Sequence, residues 1–162
     1  MKSLAEDLYL LLTKIASALQ SPFLLLVRAY WGWQFIQTGW GKLHTIPKVI
    51  DFFTSLGIPF PALNAWFVAG LEFLGGILLI LGLASRLTAL MLVADMLVAY
   101  VTADREALFS FISDPDKFYA AAPFTFLVAS LIVLIFGPGK LSLDAWIARK
   151  FVRRDRLVAP GS

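Results

Sequence analysis

Four stretches of this chain stay apolar long enough to cross a bilayer, and nothing else in the sequence limits the fold as tightly. A spanning helix needs about 20 mostly apolar residues at a rise of about 1.5 Å each. The qualifying runs are about 22–43, 63–83, 87–103 and 118–136. Composition agrees. Hydrophobic residues make up 59% of the 162 positions and charged residues only 15%, against about 45–50% and 25% in soluble domains. The chain therefore reads as an all-α integral membrane protein, a four-transmembrane-helix bundle with N- and C-terminal amphipathic interfacial helices. Its expected organisation is an amphipathic segment over 1–21, a four-span bundle over 22–139 and a basic tail over 140–162. Too little chain remains for a soluble catalytic domain.

Turn chemistry marks the joints. "GIPFP" (Gly57 to Pro61) punctuates the first loop, "ASR" (Ala84 to Arg86) joins the second and third spans as a tight hairpin, and "GPG" (Gly137 to Gly139) stops the fourth. Lys140, Arg149, Lys150, Arg153, Arg154 and Arg156 crowd the tail, and Arg86 sits in the hairpin loop. The segment from Asp104 to Lys117 instead sets Arg105 and Lys117 against Asp104, Glu106, Asp114 and Asp116. Because Lys and Arg mark the inner side, both termini are expected in the cytoplasm of a bacterial or archaeal plasma membrane. Leu4, Leu8, Leu11, Leu12, Ile15 and Leu19 share one helical face, so the N-terminal segment is expected to lie on the bilayer surface rather than act as a cleaved signal. In the tail, basic residues between Leu141, Ala145, Ile147 and Phe151 suit anionic headgroups. The net charge of +3 thus reads as topology and makes no case for nucleic acid.

Against this apolar background the ionisable residues stand out. Glu72 and Asp95 fall near the middle of the second and third spans, where a bare charge costs at least about 2.5–3.5 kcal/mol. They need partners or protons. Arg28, Gly32, Phe35, Gly39 and Lys42 are spaced four, three, four and three along the first span, a single stripe expected to face the bundle. Ala65, Ala69, Glu72, Gly76 and Leu79 form a matching stripe on the second, with small residues that permit close helix approach. Thr88, Asp95 and Thr102 repeat every seven residues on the third. Pairing Arg28 and Lys42 with Glu72 and Asp95 would neutralise the interior. Such pairs can simply hold helices in register, or they can form a site in which Glu72 or Asp95 exchanges a proton with a quinone or similar carbonyl. Trp31 and Gln34 are further candidates to line that site beside Arg28.

Other chemistry is narrowed by counting. With no cysteine, thiolate nucleophiles, disulfides, iron–sulfur clusters and thiolate zinc sites are excluded, and the single histidine, His44, rules out a bis-histidine haem within the chain. No metal site and no covalently bound cofactor is expected. Trp40 and Trp66 lie where an interfacial aromatic belt would place them. "GLEFLGG" lacks the strand–turn–helix setting of a dinucleotide fingerprint.

"GWGKL" closing a first span, "FFTSLGIPFP", "GLEFLGGILLILGLASRLTAL" and "GPGKLSLD" after a fourth span occur in an order and spacing that resembles the DoxX family of small four-helix membrane proteins, over about Phe23 to Asp144. The resemblance implies a four-helix bundle in the cytoplasmic membrane and an association with redox physiology, including membrane subunits of a thiosulfate:quinone oxidoreductase. It also implies that Arg28, Lys42 and Glu72 are the family's polar positions; Asp95 rests on the residue argument alone. Three function classes follow. The first is a redox-associated subunit that binds a quinone or similar lipophilic carrier. The second is a noncatalytic membrane anchor or assembly partner of a soluble oxidoreductase, and the third a small-solute or proton transporter acting as a homo-oligomer. Stand-alone catalysis is not expected.

Overall fold

The computed structural model describes residues 4–158, with side chains as far as Phe151. The basic side chains expected at Arg153, Arg154 and Arg156 lie outside that range. The described residues form eight helices and no strand: α1 (Leu4–His44), α2 (Ile46–Ser55), α3 (Pro61–Leu81), α4 (Ser85–Thr102), α5 (Arg105–Phe109), α6 (Pro115–Ala120), α7 (Ala122–Phe136) and α8 (Leu143–Val158). Among them α1, α3 and α4 are long and apolar enough to cross a membrane.

Two elements depart from the expected boundaries. Segment 1–21 and the first span are not separate: α1 is one helix of 41 residues with Pro22 inside it, about 60 Å long at 1.5 Å per residue. Leu4 to Gln20 are exposed throughout, and Ser21 is the first half-buried position. At the other end, the run expected over 118–136 is interrupted. Ala121 is extended, with φ −62° and ψ 136°, so Phe118 to Ala120 belong to α6 and α7 has only 15 residues. Pro123 explains the break, because it lacks the N–H that would bond the Tyr119 carbonyl and its ring crowds that carbonyl. The loop before α3 also holds an unexpected element, the amphipathic helix α2.

The bundle is organised around the α1–α3 contact, the most extensive in the molecule. Gly32, Gly39 and Gly76 set its closeness. A Cβ at Gly32 would stand 2.8 Å from the Gly76 carbonyl oxygen and 2.7 Å from Ile80, and one at Gly39 would run into the Phe73 backbone. Ala65 and Ala69 are fully buried on the same face of α3. Backbone thus packs on backbone, where dispersion and close approach replace a hydrophobic drive that lipid cannot supply. On the other side α4 and α7 close the bundle through Leu92, Met96 and Val133, which meet Phe35 and Leu79 in a common core.

Gly39→Val should therefore lower the thermal unfolding midpoint in detergent, at a cost of about 1–3 kcal/mol or more from overpacking. Gly41→Ala, one turn-fraction away with open space around its Cβ, should be neutral or slightly stabilising. Equal responses from the two would contradict backbone-on-backbone packing.

Candidate functional site

Lys42 lies in the last turn of α1, and Glu72 and Asp95 lie midway along α3 and α4. The glycine-lined contact brings the first two together. Lys42 Nζ donates to Glu72 Oε1 at 2.5 Å, with the Lys42 side chain 32% exposed and that of Glu72 only 4%. The remaining oxygens, Glu72 Oε2 and Asp95 Oδ2, are buried without a protein partner. A buried acceptor left unmatched costs about 1–3 kcal/mol, so this is an unusual place for two carboxylates unless something else meets them.

These three residues share a cavity of about 570 Å³. Its walls are α3 through Asn64 and Val68, α4 through Met96, Ala99 and Thr102, and α2 through Val49, Phe52 and Phe53 with Leu56 just after it, and Lys48 is a second cation. Such a chamber, mostly apolar with a few convergent polar groups, has the size and lining of a small-molecule site. α2 supplies its aromatic wall. The signal for α2 was present in the sequence as Ile46, Val49, Ile50 and Phe53 at helical spacing, hidden by its shortness.

Arg28 does not join the cluster, which corrects the four-charge arrangement expected from spacing. It lies 14 residues from Lys42 along α1, about 21 Å by helix rise. The side chain is fully buried and serves the far end of α3: Nη1 donates to the carbonyls of Leu79 at 3.1 Å and Ile80 at 3.4 Å, and Nη2 donates to that of Leu141 at 2.5 Å. Helix C-termini carry unpaired carbonyls and partial negative charge, so a guanidinium fits there. Asp144 does the converse. Its carboxylate accepts from the N–H groups of Ala84 and Ser85, both at 2.8 Å, at the start of α4, and its own N–H donates to the Gly82 carbonyl at 2.9 Å. Nothing in the sequence spacing identified Asp144.

Gln34 and Trp31 also stand away from the cavity. Gln34 Nε2 donates to the Tyr30 hydroxyl at 3.4 Å, and the Trp31 ring packs edge-on against Phe126 with centroids 5.1 Å apart. His44 hydrogen-bonds the Trp40 carbonyl through Nδ1 at 2.9 Å. Among the described residues, no three His, Cys, Asp or Glu side chains are grouped to hold a metal.

The DoxX family profile matches residues 23–105, which carry Arg28, Lys42, Glu72 and Asp95. The chain belongs to the DoxX family. The match ends before "GPGKLSLD", the segment that contributes Leu141 and Asp144. "Putative oxidoreductase CatD" of Bacillus subtilis is 28% identical over 123 residues, 76% of this chain and 85% of that protein. An uncharacterized protein of Haemophilus influenzae is 30% identical over 138 residues, covering 83% and 89%. No solved structure matches. As a DoxX member with apolar helices, the protein is a multi-pass membrane protein.

Two outcomes follow from these contacts. Breaking the pair by Glu72→Gln or Lys42→Met should each cost about 1.5–3 kcal/mol, the range for a hydrogen bond to a charged group. The double variant should recover part of this in a thermal-unfolding cycle, and strict additivity would deny the coupling. Burial pushes the Asp144 carboxyl up, but the Ser85 and Ala84 N–H groups and the positive Arg28 outweigh that and hold it below the ordinary aspartate value. A depressed folded pKa contributes stability that is present above the unfolded value of about 3.9 and lost as pH falls through the folded one. Asp144→Asn should therefore melt earlier than wild type near neutral pH, and the gap should narrow in acid.

Proposed function

We propose that this DoxX protein is a redox-associated membrane subunit that holds a quinone, or a similarly flat lipophilic carbonyl carrier, in the cavity between α2, α3 and α4. The observation that carries this reading is the meeting of a 570 Å³ chamber with two charged hydrogen-bond donors, Lys42 and Lys48, and two carboxylate oxygens free of protein partners. A quinone has an apolar ring that suits Phe52, Phe53 and Val68, and carbonyl oxygens that only accept. Lys42 Nζ can donate to one of them. Asp95, buried and unmatched at Oδ2, becomes satisfied either by accepting from a quinol hydroxyl or by carrying a proton and donating it. We assign the electrons to a soluble partner enzyme, in keeping with a sequence of no cysteine and one histidine. The name of the Bacillus subtilis relative, as an oxidoreductase, points the same way.

In this reading α7 completes a four-helix bundle, both termini lie in the cytoplasm of the plasma membrane, and α2 rests in the outer leaflet. The carrier then reaches the cavity from lipid, past the exposed face of α2.

Thermal unfolding of detergent-purified protein with a short-chain quinone tests it. Binding to the folded state at a hundredfold excess over Kd should add about 2.7 kcal/mol. Asp95→Asn should fold and show a much smaller gain. If wild type gains nothing at any soluble quinone concentration, the proposal fails.

A further inference from the structure

The Lys42–Glu72 pair has a second side. Behind it lies another cavity of about 180 Å³, to which Thr38, Lys42, Glu72 and Asp104 contribute, with Ala122 and Phe126 on the α7 wall. The two chambers share Lys42, Glu72, Met96 and Ala99. They differ in size, and size is decisive. Ligand pockets usually run from about 300 to 1,000 Å³, which admits the larger chamber and leaves out the smaller. A water takes about 30 Å³ of liquid and needs two to four polar partners, which the smaller chamber provides. Asp104 sits where α4 hands over to α5, half-exposed, and its carboxylate lines this cavity at the end of the bundle away from Arg28. Glu72, nearly inaccessible from outside, holds Lys42 with one oxygen and has the other unpartnered.

We infer that the smaller cavity is an aqueous antechamber, through which water and protons reach the Lys42–Glu72 pair from the Asp104 side while the lipophilic ligand occupies the larger cavity. The ion pair is then the partition between the water-filled compartment and the ligand's. A proton arriving by water binds Glu72 Oε2 and releases Lys42 from its partner; loss of that proton restores the pair. Only O–H bonds form and break, no electron moves, and one positive charge passes from the surface to the edge of the ligand chamber. The ligand's identity rests on the function proposed above, whereas the wet route does not.

The absence of cysteine makes single-cysteine variants clean reporters. In proteoliposomes, Thr38→Cys should react with a small membrane-impermeant cationic thiosulfonate about tenfold faster than Val101→Cys, although both positions are exposed on spanning helices, because negative Asp104 concentrates cations at the mouth. Asp104→Asn should abolish the preference for the cationic over an anionic reagent. Ala122→Trp should shield Thr38→Cys, and Phe53→Trp, on the opposite chamber, should not. Thr38→Cys reacting no faster than Val101→Cys in folded protein would overturn the inference. So would shielding by Phe53→Trp in place of Ala122→Trp, since water would then arrive through the ligand chamber. Reactive Thr38→Cys in a protein that ignores quinone would overturn only the function proposed above. Inert Thr38→Cys in a protein stabilised by quinone would overturn only the antechamber.

Discussion

The turn between α3 and α4 is the point on which the rest of the molecule depends. Within a few residues it brings together the carbonyl end of one apolar helix and the N–H end of the next, with Gly82 and Ser85 buried among them. Gly82 in the left-handed region, φ 66°, lets its own N–H and that of Leu83 close back on Leu79 and Leu78. Ala84 follows with φ 48°, a conformation that costs a non-glycine residue about 1–2 kcal/mol. Arg28 and Asp144 offset this by supplying opposite charges to the two helix ends. Because one comes from α1 and the other from the segment after α7, satisfying this turn also ties down both outer parts of the chain. Lys140, whose N–H donates to Ser21 Oγ at 3.2 Å, completes the wrap.

With that end fixed, α1 and α3 must run side by side, and the glycines decide how closely. Their separation sets whether Lys42 can reach Glu72. The charged groups at the bundle's two ends thus form two sets. Arg28, apart from a buried Nε without a partner, and the half-buried Asp144 are matched mainly by backbone groups and carry structure. Lys42, Glu72 and Asp95 are incompletely matched, and they border open volume. Packing alone would not retain two unpartnered carboxylate oxygens beside a chamber of this size, since apolar residues of similar volume would fill it at lower cost.

Hydropathy alone locates α3 and α4 to within two residues at each end, because long apolar runs leave a helix few alternatives. The stripe on α1 was also legible: Arg28, Gly32, Phe35 and Gly39 are all buried. Spacing failed where partners are backbone groups. A carbonyl at a helix end carries no side-chain signature, so Arg28 was matched to carboxylates on its own stripe's terms instead of to Leu79, Ile80 and Leu141. The continuity of α1 through Pro22 was missed because proline reads as a boundary, and the break at Ala121 because the apolar run outweighed Pro123. Periodicity puts Lys42 on the bundle-facing stripe of α1 and Glu72 on that of α3 but does not say which cation meets which carboxylate; the cavity they border was not legible, since α2 closes it from a loop.

α1 also has a mechanical consequence. An unbroken helix of 41 residues behaves as a rod, and its glycine contacts with α3 lie near the end that carries Lys42. Ser21, which accepts from the Lys140 N–H, and Arg28, which holds the carbonyls of Leu79, Ile80 and Leu141, fasten that rod along its middle. The exposed arm from Leu4 to Gln20, about 25 Å by helix rise, projects beyond these fastenings. A load placed on it by the membrane surface or a bound protein is taken up at Ser21 and Arg28 before it reaches Lys42.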